Sequence, residues 1–340
     1  MNHAPFFKDN HTNNNVDFIL SAQSVSDWLK PIFLDFYPEL EQKADLYEIS
    51  GANINSENFK LGDYYLKLIK HDNNKDYVLQ FPQLAANLQR NNIPVFSYVK
   101  NKKNEFITNY FDQIKQQNYY IYCQSFQDDS FYSGKKEEFQ QAIDLLKKFK
   151  TTQIKSTFAK LSSPYLNWNP NQIIKDLEGV SSNCENSTEF ERFAVGNFSK
   201  IKTVISDNQD LISTLKTKSD YLNHYDLHPH NLFFKDLKLR SVLDLESLIP
   251  IQFEICEAFA VFKLARKSVA TGQSVPKEIK EILLKNQIMP DRLLPYIKLE
   301  LARRALLVLN LHYIEKNELW DNDIYKQVIG FEEADSLFKP

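Results

Sequence analysis

The sequence predicts an α+β chain in two lobes, a small N-terminal lobe of antiparallel sheet plus a helix and a larger, mainly helical C-terminal lobe. Three observations predict it. At 340 residues the chain exceeds what one small core needs, and that length favours two domains or a single domain in two lobes. Short strand-like runs crowd the region from Leu46 to Tyr122, and apolar residues at helical spacing dominate from Lys136 onward. The boundary falls in the polar stretch around Gln124 to Asp129, giving lobes over 1–126 and 127–340.

In order, the residues up to about 16 are polar and Asn-rich and read as a loose lead-in. Ser24 to Phe36 then reads as a helix with Trp28, Leu29, Ile32 and Phe33 on one face. Ser24-x-x-Asp27 is its capping box, and Pro31 marks a kink or a later start. Leu46–Ile49, Phe59–Leu61 and Tyr64–Ile69 read as an antiparallel meander around a polar turn at 51–58. A helix follows within Val78–Arg90, past Pro82, and strands return at Phe106–Thr108 and Tyr119–Tyr122. In the second lobe, helices are expected at Lys136–Lys150, Thr188–Ile205, Phe253–Ala270 (stopped by Gly272) and Asp291–Glu315. Leu161 to Gly179, with Pro164, Trp168 and Pro170, reads as irregular and as a candidate lid.

Composition excludes several classes. An apolar share of 43% supports a buried interior, and a net charge of −3 argues against a nucleic-acid-binding protein. No apolar run approaches the roughly 18 residues of a membrane span, and the N-terminus lacks the pattern of a signal peptide. Cys123, Cys184 and Cys256 are widely spaced, with no CxxC, and read as reduced thiols of a cytoplasmic protein. There is no G-x-G-x-x-G and no P-loop pattern among the seven glycines.

One stretch carries chemistry. His224-Tyr225-Asp226-Leu227-His228-Pro229-His230-Asn231 matches H-x-D-L-x-x-x-N, and Val242-Leu243-Asp244 follows on a hydrophobic strand. Moving a phosphoryl group to an alcohol needs a base on the hydroxyl, metal ligands, a cation near the phosphates and a backbone turn covering them. Asp226 fits the base; Asn231 and Asp244 fit the metal ligands. Lys67, inside the apolar run Leu66 to Ile69, is the candidate cation, and the turn at Gly51 to Asn58, with Asn53 and Ser56, is the candidate phosphate cover. A zinc reading of His224, His228 and His230 is a poor match to known ligand spacings, so His224 reads as structural and His228 as a brace for the loop. Glu246 either orients a second metal or is a solvated carboxylate.

On these residues the chain resembles the aminoglycoside phosphotransferase/choline kinase-like family, whose usual loop is H-G-D-L-H-P-G-N followed by a hydrophobic strand ending in Asp. The resemblance covers most of the chain from about residue 45. It implies a bilobal protein-kinase-like fold, ATP or GTP with Mg²⁺, a small-molecule hydroxyl acceptor, and a hinge near Cys123–Phe126 where Gln124 and Phe126 would meet the base. Tyr225 and His230 replace the family's glycines. Gln83 falls where a Glu usually pairs with the lysine, so either Lys67 is held more weakly or another acid takes that role. The resemblance therefore implies an ATP-dependent, Mg²⁺-requiring phosphotransferase, with a sugar, amino sugar or amino alcohol favoured over an aminoglycoside as acceptor. The alternative is a catalytically silent, kinase-like binding protein.

Overall fold

The computed structural model describes residues 26–40, 45–49, 56–71, 78–125, 130–155, 162–181 and 188–339. The chain starts with α1 (Ser26–Phe36), in which Pro31 lies, and the proposed capping residue Ser24 is outside the described residues. The strands β1 (Leu46–Ile49), β2 (Ser56–Leu61) and β3 (Tyr64–Lys70) form the expected meander, although β2 begins at Ser56, which shortens the turn. After α2 (Phe81–Arg90) come β4 (Tyr98–Val99), β5 (Ile107–Asp112) and β6 (Gln117–Ser125). The sheet runs β1-β2-β3-β6-β4, with β5 also paired to β6.

Alternation along these strands sorts the site from the core. Leu66, Leu68, Tyr119, Ile121 and Cys123 are buried in one cluster with Leu29, Phe33 and Tyr37 from α1 and its C-terminal end. Each such fully buried apolar side chain contributes about 1.5–3 kcal/mol. Because successive strand residues point to opposite faces, Tyr65, Lys67 and Ile69 of β3 and Tyr120, Tyr122 and Gln124 of β6 face the other way, toward the second lobe. Lys67 sits directly across from Tyr122, and Tyr65 across from Gln124.

The second lobe opens with the short β7 (Ser130–Phe131), then α3 (Lys136–Thr152), α4 (Pro170–Ser181), α5 (Glu189–Asp207) and α6 (Gln209–Leu215). Thr188 caps α5 through a reciprocal capping box with Glu191. The strands β8 (Leu222–His224), β9 (Leu232–Lys235), β10 (Lys238–Val242) and β11 (Leu248–Pro250) follow, before α7 (Phe253–Ala270), α8 (Pro276–Lys285), α9 (Pro290–Tyr313) and α10 (Asp323–Phe338). One expectation is corrected. The 161–179 stretch is not irregular throughout: Pro170 opens α4, a position where its missing N–H costs nothing. Tyr165, just before it, is fully buried against Glu300, so it anchors the segment.

The helix α10 escaped sequence reading because it has no single apolar stripe. Gly330, Glu333 and Phe338 are buried as well as Ile324, Val328, Phe331, Ala334 and Leu337, so the buried face is broad and includes a charged residue, and such a helix loses the amphipathic signal. Gly330 lets it approach α9 closely, since a Cβ there would meet Leu301 Cδ2 at 2.9 Å. The long α9 packs against α4, α5, α7 and α10 and forms the spine of this lobe. The lobes are stitched where Val242 N–H donates to the Pro94 carbonyl at 2.8 Å and Val95 bridges Val242. Among the described residues, no helix is long and apolar enough to cross a membrane.

Candidate active site

Two short pairings fold the motif onto itself. β8 pairs antiparallel with β11, setting His224 opposite Leu248, and Tyr225 N–H donates to the Ser247 carbonyl at 2.9 Å. Leu243 N–H donates to the Asn231 carbonyl at 2.9 Å. The result puts the loop after β8 beside the end of β10, so Asp226, Asn231 and Asp244 converge. Asn231 closes the loop by donating its side-chain amide to the Asp226 carbonyl at 2.8 Å, which turns its amide oxygen the other way. His224 is buried, with Nε2 bonded to the Leu243 carbonyl at 2.8 Å and its pKa lowered mainly by burial. It therefore ties the two halves of the motif together as a neutral ring. His228 braces the turn by accepting the His230 N–H on Nδ1 at 3.3 Å, and burial pushes it down to about 3.

Neither Tyr225 nor His230 adopts a left-handed backbone, so the replaced glycines leave no strain behind. The strained position is Asp244, at φ 57°. Ser247 holds it there, donating its N–H to the Asp244 carbonyl at 2.9 Å and its hydroxyl to Oδ2 at 2.5 Å.

On the side of the first lobe stands Lys67, only 5% exposed. Its ammonium donates to Glu246 Oε1 at 2.5 Å and lies 3.9 Å from Asp244 Oδ1, while Tyr122 OH donates to the same Glu246 oxygen at 2.7 Å. Burial disfavours the ammonium, but Glu246, Tyr65 and Asp244 outweigh it and hold its pKa above the ordinary value. Burial, then the neighbouring Glu246, pushes Asp244 upward, whereas Glu246 is held low against burial by Lys67. Two carboxylates thus share one ammonium, an arrangement short of positive charge.

On the other side Asp226, a third exposed, meets cations. Lys263 Nζ bonds to Asp226 Oδ1 at 2.5 Å, Arg304 Nη2 lies 3.4 Å from the same oxygen, and His228 Nε2 is 3.7 Å from Oδ2. Burial opposes the charge of Asp226, but Lys263, then His228 and Arg304, hold it well below the usual carboxylate range. Behind it, the fully buried Glu300 accepts from Arg303 Nε at 2.8 Å, Arg304 Nε at 2.6 Å and Tyr225 OH at 2.5 Å.

Several sequence-predicted residues fall elsewhere. Gly51, Asn53 and Phe126 lie outside the described residues, as does Cys184, and Ser56 starts β2. Gln83 does not partner Lys67. The helical period of α2 turns Phe81, Leu84, Ala85 and Leu88 inward and leaves Gln83 exposed, and Glu246 supplies the acid instead. Gln124 is buried on the cleft face of β6, whereas Cys123 is on the α1 side. Sequence reading missed Lys263, Arg303, Arg304 and Glu300. Their signal was a set of charges at i, i+3 and i+4 in an apolar helix, together with a lone lysine between Phe262 and Leu264.

The residues present suit a hard divalent cation. Among the described residues no group of three or more His, Cys, Asp or Glu could hold a metal. Mg²⁺, however, is usually held by one or two protein oxygen ligands together with substrate phosphates. The Asp244 carboxylate and the Asn231 amide oxygen supply such donors, and the surplus of acid over Lys67 favours a cation there.

No family model matches the sequence, and no curated protein matches it. Solved structures do. A spectinomycin phosphotransferase crystallised with ADP and spectinomycin aligns at 15% identity with a TM-score of 0.64, over 92% of this chain and 94% of that one. An amicoumacin kinase in complex with AMP-PNP, Ca²⁺ and Ami aligns at 12% identity and TM-score 0.59, over 94% and 96%. An aminoglycoside phosphotransferase from Alicyclobacillus acidocaldarius aligns at 11% identity and TM-score 0.57, over 88% and 92%. The fold is therefore the bilobal, protein-kinase-like one that these three structures share.

Proposed function

We propose that this protein is an ATP-dependent phosphotransferase acting on the hydroxyl of a small molecule. The observation that carries the reading is the convergence of Asp226, Asn231 and Asp244 from one lobe with the buried Lys67 from the other, Lys67 being fixed by Glu246. That set supplies the base, the metal ligands and the cation that phosphoryl transfer asks of a protein. The acceptor oxygen attacks the γ-phosphorus of ATP, the bond from that phosphorus to the β–γ bridging oxygen breaks, and the hydroxyl proton passes to Asp226. Lys67 binds phosphate oxygens, and Asn231 and Asp244 would hold Mg²⁺, which when bound neutralises phosphate charge. With its pKa held low, Asp226 is a weak base in the free protein, so its first task is to orient the hydroxyl. Gln124, on the cleft face of β6, is suited to face the nucleotide base. Because Glu246 gives Lys67 a charged partner, the loss of a glutamate at position 83 no longer favours a silent binding protein.

The test is ADP release from Mg-ATP across polyols, amino alcohols, amino sugars and hydroxy acids. Asp226→Asn is expected to lower turnover with the responsive acceptor by ~10²–10⁴-fold while calorimetry finds nucleotide binding kept. Undiminished turnover in that variant would remove Asp226 from the reaction.

A further inference from the structure

We propose that the acceptor is an anion: a hydroxylated compound bearing a carboxylate or phosphate close to the hydroxyl, with Lys263 and Arg304 as the groups that receive the acid. The proposal rests on the phosphotransferase reading and deepens it. Lys263 and Arg304 project from separate helices, α7 and α9, onto the same oxygen of Asp226, at 2.5 and 3.4 Å. Both are partly open, with side chains 20% and 25% exposed beside an Asp226 that is 33% exposed. Both also stack on one ring, with Lys263 Nζ and Arg304 Cζ each 4.6 Å from the Phe259 centroid, and this contact fixes their direction.

Charge decides what they are for. Lys263, Arg303 and Arg304 face Asp226 and Glu300. Glu300 lies buried beneath the arginines, so it neutralises one of them from behind and cannot reach a ligand in the cleft. One cation is left over on the side that the acceptor enters. A cationic amino sugar or amino alcohol would meet Lys263 and Arg304 as like charges next to its own reacting hydroxyl. An acid group within about 5 Å of that hydroxyl would reach both cations while the hydroxyl met Asp226, summing ordinary hydrogen-bond lengths. It would also draw Lys263 off Asp226 Oδ1, freeing that oxygen for the hydroxyl proton. The phosphate side of the cleft already has Lys67 as its cation.

Calorimetry with Mg²⁺ and AMP-PNP present tests this on four probes: glycerate, glycerol 3-phosphate, glycerol and ethanolamine. At least one acid is expected to bind about 10–100-fold more tightly than either non-acid, the worth of charge-assisted hydrogen bonds, and the pair of acids separates carboxylate from phosphate. Lys263→Gln and Arg304→Gln should each lose about tenfold of that preference. Among the described residues Lys263 donates only to Asp226, so its variant tests the idea even if Arg304→Gln, which strips a bond from Glu300, folds poorly. Equal or better binding of glycerol or ethanolamine overturns the proposal. So does failure of both acids to bind, or an acid preference that Lys263→Gln leaves undiminished. Weakened AMP-PNP binding in both variants with the acid preference intact would assign the cations to the nucleotide and likewise overturn it. Failure to bind AMP-PNP at all would instead strike the phosphotransferase reading, because acid binding is read without turnover.

Discussion

The two sides of the cleft carry opposite imbalances of charge. Around Lys67, Asp244 and Glu246 outnumber the single ammonium; around Asp226, Lys263 and the two arginines outnumber the acids. A buried charge without a partner is costly, so each imbalance is a statement about what the site is built to receive. The first suits a divalent cation and the phosphates it accompanies, and the second an acid on the acceptor. The difference also separates support from reaction. Glu246 touches the lysine that would meet the phosphates, whereas the buried Glu300 touches Tyr165 and the groups behind Asp226.

Breaking that wall gives the largest effect expected on stability. Glu300→Gln would leave Arg303 buried without a counter-charge and Arg304 with only Asp226, at 3.4 Å, a loss of about 3–5 kcal/mol, read by urea denaturation. The pH dependence follows from the same pair. Burial raises the Glu300 pKa, but Arg303 and Arg304 overcome this and hold it far below its ordinary 4.5. Its contribution is therefore full above pH 4.5 and is lost as pH falls below that toward the folded-state value. Stability of the natural chain should fall between about pH 5 and pH 3, and the fall should be smaller in Glu300→Gln. An equal fall in both would assign the acid sensitivity to other carboxylates.

The nucleotide side breaks more gently. Glu246→Gln keeps a hydrogen-bond acceptor for Lys67 and leaves Asp244 at 3.9 Å to take up part of the charge. The loss expected is that of one charged hydrogen bond, about 1.5–3 kcal/mol or roughly 10–100-fold in kcat/KM for ATP. Steady-state kinetics at varied ATP would read it. An unchanged kcat/KM would mean that Asp244 alone suffices to hold the lysine.

The same contrast governs what the sequence made legible. Asp226, Asn231 and Asp244 lie within one contiguous motif, and the strand period around Lys67 sets it on the face opposite Leu66 and Leu68. Local rules of this kind can be read from a string. Glu246 stood open between two roles, because only the β8–β11 pairing and the approach of β3 decide that it meets Lys67. The cationic wall needed α7, α9 and the loop after β8 to converge, and nothing local announces that Lys263 and Arg304 share one carboxylate oxygen. The helix α10 went unread for a related reason, since a broad buried face that includes a charged residue erases its periodicity.

Position 83 yields the smallest effect and the sharpest contrast with Glu246. Family resemblance makes it the expected partner of Lys67, yet α2 turns Phe81, Leu84, Ala85 and Leu88 into the core and carries Gln83 to the surface. An exposed helical side chain away from such contacts is worth about 0.5 kcal/mol or less. Gln83→Ala should therefore change stability within that bound and leave kcat/KM for ATP unchanged. Gln83→Glu is the stricter version: adding the family's missing carboxylate should not restore activity to Glu246→Gln, since it stands on the wrong side of the helix from the lysine. Rescue in that double variant would mean that α2 rotates to bring position 83 against Lys67 when nucleotide binds, and that the Glu246 pairing belongs to the free protein alone.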